Sequence, residues 1–187
     1  MQSRAPRKTK SEIELKTRHP LILTARIAEP DLQTFDLLRQ THFPPQRNFL
    51  RAHLTRFHRL PGEYVEQIAH DLRSVAERQT PILANVAGIR HLGAGVAFAI
   101  ESPALEAVRA ELRGQFFNWL GSQDMRKWQP HITVQNKASR AQADRLYGEL
   151  SSGFQGGGIR VQWLDLWQYL DGPWAPELSV TFSGTST

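Results

Sequence analysis

The chain has 187 residues, 40% of them apolar and 22% charged, with nine phenylalanines. That suffices for one domain with a substantial core and excludes a disordered chain, a collagen-like repeat or a disulfide-stapled miniprotein. Cysteine is absent, which removes disulfides, thiolate metal sites and a cysteine nucleophile. No apolar run reaches the roughly 18 residues needed to span a bilayer, and the N-terminus lacks the apolar core of a secretory signal, so a soluble cytoplasmic protein is expected. The net charge of +5 resembles a nucleic-acid footprint, but six lysines and arginines against two glutamates place +4 of it in residues 1–18. These residues are expected to form a basic, flexible tail. The remainder carries only +1, so any phosphate site in the folded part must be local.

After the tail, Leu21 to Ala28 reads as a strand, and Pro30-Asp31 opens a helix with Leu32, Phe35 and Leu38 on one side. Pro44-Pro45 ends it. Phe49 to Phe57 reads as a second strand, and after Pro61-Gly62 a longer helix carries Val65, Ile68, Leu72, Val75 and Ala76 at helical spacing. Ile82 to Ile89 is an apolar strand. Beyond Gly93-Ala94-Gly95 the same order recurs, beginning with the strand Val96 to Ile100. Ser102-Pro103 supplies an N-cap followed by proline at the first helical position, for a helix with Leu105, Val108, Leu112 and Phe116 inward. Pro130 to Gln135 is the next strand. Ser139 and Gln142 make a capping box for a helix carrying Leu146 and Leu150. Ile159 to Trp167 and Leu178 to Phe182 complete the strands.

Matching elements lie 74 to 78 residues apart, as between Ile22 and Val96 or Ile82 and Ile159. A fixed long period indicates duplication, here of a β-α-β-α-β unit. The expected fold is α+β, with the two halves, roughly 19–92 and 93–187, forming the lobes of one bilobal domain (19–187) about a pseudo-twofold axis. A cleft between the lobes is where a ligand belongs.

The middle strand of each half holds a histidine followed two residues later by threonine: His53-Leu54-Thr55 and His131-Ile132-Thr133. Side chains at i and i+2 share one strand face, so each histidine sits beside its threonine while Leu54 or Ile132 faces the apolar side. Seven histidines and eleven threonines give about 0.4 such pairs by chance, and equivalent placement in a repeat makes coincidence rarer still. Histidine is the side chain whose charge changes near neutral pH, so one imidazole can act as base and the other as acid, while two threonine hydroxyls bind the non-bridging oxygens of one phosphate. This is in-line phosphodiester chemistry and needs no metal or other cofactor. Strand alternation puts His53 and His58 on opposite faces, which disfavours zinc. His19, His42, His70 and His91 read as ordinary packed or surface residues.

The motifs Ala52-His53-Leu54-Thr55-Arg56-Phe57 and Pro130-His131-Ile132-Thr133-Val134, in a chain of this length and order, resemble the two-histidine (2H) phosphoesterase superfamily, in particular its bacterial 2'-5' RNA ligase-like branch. The resemblance spans residues 19–184. It implies two antiparallel sheets flanking a cleft with helices outside, and metal-independent hydrolysis of 2',3'-cyclic phosphates or reversible 2'-5' joining of RNA. By position His53, Thr55, His131 and Thr133 are the catalytic residues. Arg56 departs from the family's usual aliphatic residue, and Gln135-Asn136-Lys137 follows the second motif where many members carry an arginine.

Around this quartet, alternation places Arg51 and Phe57 on the His53 face and Gln129 and Gln135 on that of His131. Arg51, Phe57, Gln135 and Lys137 are the candidate substrate-binding residues. The competing readings are a surface salt bridge for Arg51, a core aromatic for Phe57 and a solvated Lys137. The expected partners are RNA ends or small cyclic nucleotide phosphates, bound by a monomer away from any membrane. A non-catalytic RNA-end-binding module is the alternative function, and a metal-dependent phosphoesterase, lacking a carboxylate cluster, ranks last.

Overall fold

The computed structural model describes residues 18–185, so the expected basic tail, but for its last residue, lies outside the described residues. Seven strands and five α-helices follow one another as β1 (Leu21–Ile27), α1 (Glu29–His42), β2 (Leu54–Leu60), α2 (Val65–Arg78), β3 (Ile82–His91), β4 (Val96–Glu101), α3 (Pro103–Phe116), α4 (Ser122–Met125), β5 (His131–Gln135), α5 (Arg140–Ser152), β6 (Gly157–Tyr169) and β7 (Trp174–Thr181). The β-α-β-α-β order occurs twice, as expected. The short α4 has no counterpart in the sequence reading, and β2 begins five residues later than the apolar run suggested.

All strand pairings are antiparallel. The strands form two four-stranded faces, β2-β1-β6-β7 and β5-β4-β3-β6, which share the long strand β6. The N-terminal part of β6 pairs with β3 and its remainder with β1, and the register shifts where Ile27 meets Val161. The third strand of each half therefore lies in the other half's sheet: β3 beside β4, and β6 beside β1. The segments 19–92 and 93–187 interdigitate through these strands. On the opposite side a single pair, Leu54 with Ile132, joins β2 to β5 and closes the sheets into a barrel.

The helices lie outside the sheets and hold them by the stripes read from the sequence. Val65, Ile68, Leu72, Val75 and Ala76 of α2 are buried, as are Leu105, Val108, Leu112 and Phe116 of α3. Ser102 caps α3 through the Leu105 N–H, and Ser139 and Gln142 exchange both bonds of the capping box on α5. β1 is buried along almost its whole length because it is paired on both edges and covered on one face.

Both motif strands carry a β-bulge directly after the threonine. One step along β1, from Leu23 to Thr24, matches two along β2, from Phe57 to Thr55, leaving Arg56 as the extra residue. One step along β4, from Ala97 to Val96, matches two along β5, from Thr133 to Gln135, leaving Val134 extra. A bulge reverses the faces beyond it. Phe57 accordingly leaves the His53 face for the core, where it is fully buried against Phe116 with ring centroids 5.6 Å apart. Phe57→Ala should cost about 3–5 kcal/mol of stability, read from the urea unfolding midpoint; a loss under 1 kcal/mol would contradict this placement.

Candidate active site

The register that closes the barrel also assembles the quartet. With Leu54 opposite Ile132 in an antiparallel pair, the neighbouring positions set Thr55 across from His131 and His53 across from Thr133. Leu54 and Ile132 are fully buried, while the two histidines and two threonines line one cavity of about 350 Å³. The sheet faces thus divide the motifs as strand alternation requires. The hydrophobic residue points to the core and the polar pair to the cleft.

Each motif histidine is fixed the same way. Nδ1 of His53 lies 2.7 Å from the Arg51 carbonyl, and Nδ1 of His131 lies 2.8 Å from the Gln129 carbonyl. A carbonyl only accepts, so both rings carry the proton on Nδ1 and leave Nε2 free. Burial pushes the pKa of His53 down to about 4, assisted by the charges of Arg39 and His131 and opposed by the Arg51 carbonyl. Burial also lowers His131, against the Gln129 carbonyl and helped by Arg90 and His58. The His53 ring packs at 5.5 Å from that of Trp174.

None of the four remaining predicted residues lines this cavity, although Arg51 lines the one beside it. Arg51 forms ion pairs with Glu29 and, at 2.7 Å, Asp36 of α1. Asp36 also accepts the Ala52 N–H at 2.7 Å, so this cluster fixes the backbone whose carbonyl holds His53. Phe57 lies in the core. Gln135 is buried beyond the second bulge, and its Oε1 has no partner among the described residues. Lys137 sits exposed in a left-handed turn with φ of 58°, and Asn136 before it lines the cavity instead.

Arg39 and His58 are among the residues of the cavity wall that sequence reasoning missed. Arg39 occupies the buried stripe of α1 with Leu32 and Phe35; an arginine four residues after Phe35 on an apolar stripe was the available signal. Its guanidinium donates to the Thr133 carbonyl at 2.9 Å and to Asn48 Oδ1 at 3.1 Å, and stacks over Phe43. Burial lowers its pKa, although Asp36 opposes this. His58 also lines the cavity, because the bulge at Arg56 returns it to the His53 face and overturns the alternation argument. Even so, no three histidine, aspartate or glutamate side chains among the described residues are grouped to hold a metal ion.

A second cavity of about 540 Å³ adjoins the first and shares Phe49, Leu50, His53 and Trp174 with it. Its floor carries Arg26 paired with Asp165 at 2.8 Å, and Ser179 donates to the same carboxylate at 2.6 Å. Among the described residues no acidic side chain lines the first cavity, whereas Asp165 and Glu177 line the second. Among the described residues no helix is long and apolar enough to cross a membrane.

A sheet pair closed at two His-x-Thr strands over one cleft defines the 2H phosphoesterase architecture, and residues 26–173 match the family model of the 2'-5' RNA ligase superfamily. The chain belongs to that superfamily. No curated protein matches it significantly in sequence. Among solved structures, TT0787 of Thermus thermophilus is similar at 14% identity and a TM-score of 0.63, covering 89% of this chain and 100% of that one. E. coli LigT complexed with 3'-AMP is similar at 17% identity and a TM-score of 0.60, covering 89% and 99%, and LigT has also been solved with NADP+. At these identities the likeness shows the fold.

A histidine whose pKa is depressed in the folded state stays neutral while its unfolded counterpart takes up a proton. Stability is therefore expected to fall as pH drops from about 6.5 towards 4. Urea unfolding across this window should show a smaller loss in His53→Gln than in the parent. Equal slopes in both would mean that His53 does not have the depressed pKa.

Proposed function

We propose that the protein is a metal-independent phosphoesterase that hydrolyses ribose 2',3'-cyclic phosphates or makes and breaks 2'-5' RNA phosphodiester bonds. The observation that carries this reading is the pair of imidazoles, each held at Nδ1 by a main-chain carbonyl and each with Nε2 free beside a threonine on one cavity. Nothing in a structural protein requires that repetition, whereas proton transfer at both ends of an in-line displacement does.

In hydrolysis, one Nε2 takes a proton from water as its oxygen attacks phosphorus. The other Nε2, protonated beforehand, gives its proton to the departing ribose oxygen, and the reverse sequence forms the bond. Burial lowers the pKa of both imidazoles, so either can accept the proton, and in this nearly symmetric site the two roles exchange with the direction of the reaction. The Thr55 and Thr133 hydroxyls hold the non-bridging oxygens, and Arg39 beside Thr133 offsets the charge that develops on them. The second cavity, with the exposed Phe49 ring and Trp174 at its border, offers a stacking surface for a nucleoside. RNA ends and small cyclic nucleotides both fit this division of labour.

With 2',3'-cyclic AMP in excess EDTA, the protein should release a single adenosine monophosphate. His53→Ala and His131→Ala should each lower kcat by about 10²–10⁴-fold, the usual contribution of a general acid or base. Full activity in either variant would refute the assignment. Tight RNA-end binding without turnover would favour a binding module instead, and loss of activity in EDTA would point to metal-dependent chemistry.

A further inference from the structure

The cavity holds a third histidine that the proton-transfer scheme does not use. Nδ1 of His58 lies 2.9 Å from Oδ1 of Asp124, and the same carboxylate accepts the backbone N–H groups of His58 at 3.0 Å and Arg59 at 3.2 Å. Asp124 comes from α4 and is almost fully buried. Burial opposes its ionisation, yet the hydrogen bonds from His58 and Arg59 outweigh this and hold its pKa below the usual carboxylate range. The Asp124 carbonyl is tied in turn to Arg109 at 2.8 Å.

All three cavity histidines are thus anchored at Nδ1 and turn Nε2 away from the anchor, but the anchors differ. Main-chain carbonyls hold His53 and His131, and an ionised carboxylate holds His58. A carboxylate at Nδ1 and a phosphate oxygen at Nε2 would place the His58 ring between two anionic acceptors, an arrangement that the carbonyl-anchored rings do not have. His58 Nε2 has no hydrogen-bond partner among the described residues, and its side chain is 42% exposed.

We infer that His58 is a substrate-contacting residue: anchored by Asp124, it donates from Nε2 to a non-bridging oxygen of the phosphate bound between His53 and His131. This rests on the proposed reading of the cavity as a phosphoryl-transfer site. Asp124 acts through His58 and is a positioning residue. The expected ligand class is a phosphate mono- or diester, recognised at this point by its anionic oxygen and not by its base.

The test uses the full-length protein, inorganic phosphate, 2'-AMP and adenosine, and the variants His58→Phe and His58→Gln. Phenylalanine keeps the ring volume without a donor, and glutamine restores an uncharged donor. Long-range ¹⁵N NMR should show the His58 Nε2 resonance shifting when phosphate is added. His58→Phe should weaken phosphate and 2'-AMP about ten- to hundredfold, the effect of one charge-assisted hydrogen bond, and leave adenosine unchanged. His58→Gln should recover part of the loss. In turnover of 2',3'-cyclic AMP, KM should rise far more than kcat falls.

Unchanged phosphate affinity in a folded His58→Phe variant overturns the inference, as does an equal loss of adenosine binding, which marks a purely structural role. Wild-type turnover that His58→Phe leaves untouched sinks the inference while the proposed reaction stands. Phosphate binding through His58 without turnover sinks the reaction while the contact stands.

Discussion

The cleft depends on one backbone pairing. Leu54 and Ile132 form the only register pair between β2 and β5 among the described residues, and both side chains are buried in the core. Because alternate residues of a strand face opposite ways, burying this pair forces the flanking histidines and threonines to the other side, where they meet. Elsewhere, among the described residues, the two sheets are joined only through β6. Had the pairing continued for several residues, β2 and β5 would have filled the space between them with ladder. Its brevity leaves the strands free to diverge and the cavity open. Hydrophobic closure and the site are therefore the same contact viewed from its two faces.

Beyond this contact the strands depart from regularity at equivalent places. Arg56 and Val134 each follow the motif threonine and each bulge out of register. Just past the β2 bulge, His58 and Arg59 give their N–H groups to the Asp124 carboxylate. A side chain thus takes the place of a neighbouring strand at this edge. The Trp128 indole donates to the Thr55 carbonyl at 3.0 Å and holds the near end of the same irregularity.

These two bulges mark where the sequence stopped being legible. Helical stripes, caps, strand order and the quartet itself follow from periods of 3.6 and 2 and from residues that signal them directly. Extending the period of 2 past Thr55 and Thr133 placed Phe57 and Gln135 on the cleft and His58 away from it, and all three inferences failed for this one reason. A bulge set within a tertiary arrangement leaves no trace in local alternation. Arg51 stands apart: Glu29 and Asp36 pair with its guanidinium, as in the competing salt-bridge reading, and it borders the second cavity. Arg56 fits neither account: it lies fully buried, donates to the Leu105 carbonyl at 2.7 Å and sits over the Trp128 ring. Burial and the charge of Arg109 push its pKa down to about 9, which still leaves it charged at neutral pH. Its Nε and Nη1 lack partners among the described residues, a cost that an aliphatic residue would not incur.

The distribution of charge explains how a folded part that is almost neutral can serve an anion. Among the described residues Arg39 and Arg47 line the first cavity with the three histidines and no carboxylate, whereas Arg26 in the second is paired with Asp165 at its floor. The two sides of His53 therefore differ: arginines and histidines line one, and an ion-paired, aromatic-edged surface lines the other. Field in a partly desolvated cavity is set by the few charges on its wall, since those at the protein surface are screened within about 8–10 Å at physiological salt. Arg39 is the buried one of the two arginines, set within the stripe of α1 and held by Asn48 and the Thr133 carbonyl. Its charge is thereby kept beside the strand that bears His131, while burial of the His53 ring next to the same guanidinium keeps that imidazole uncharged and able to accept a proton.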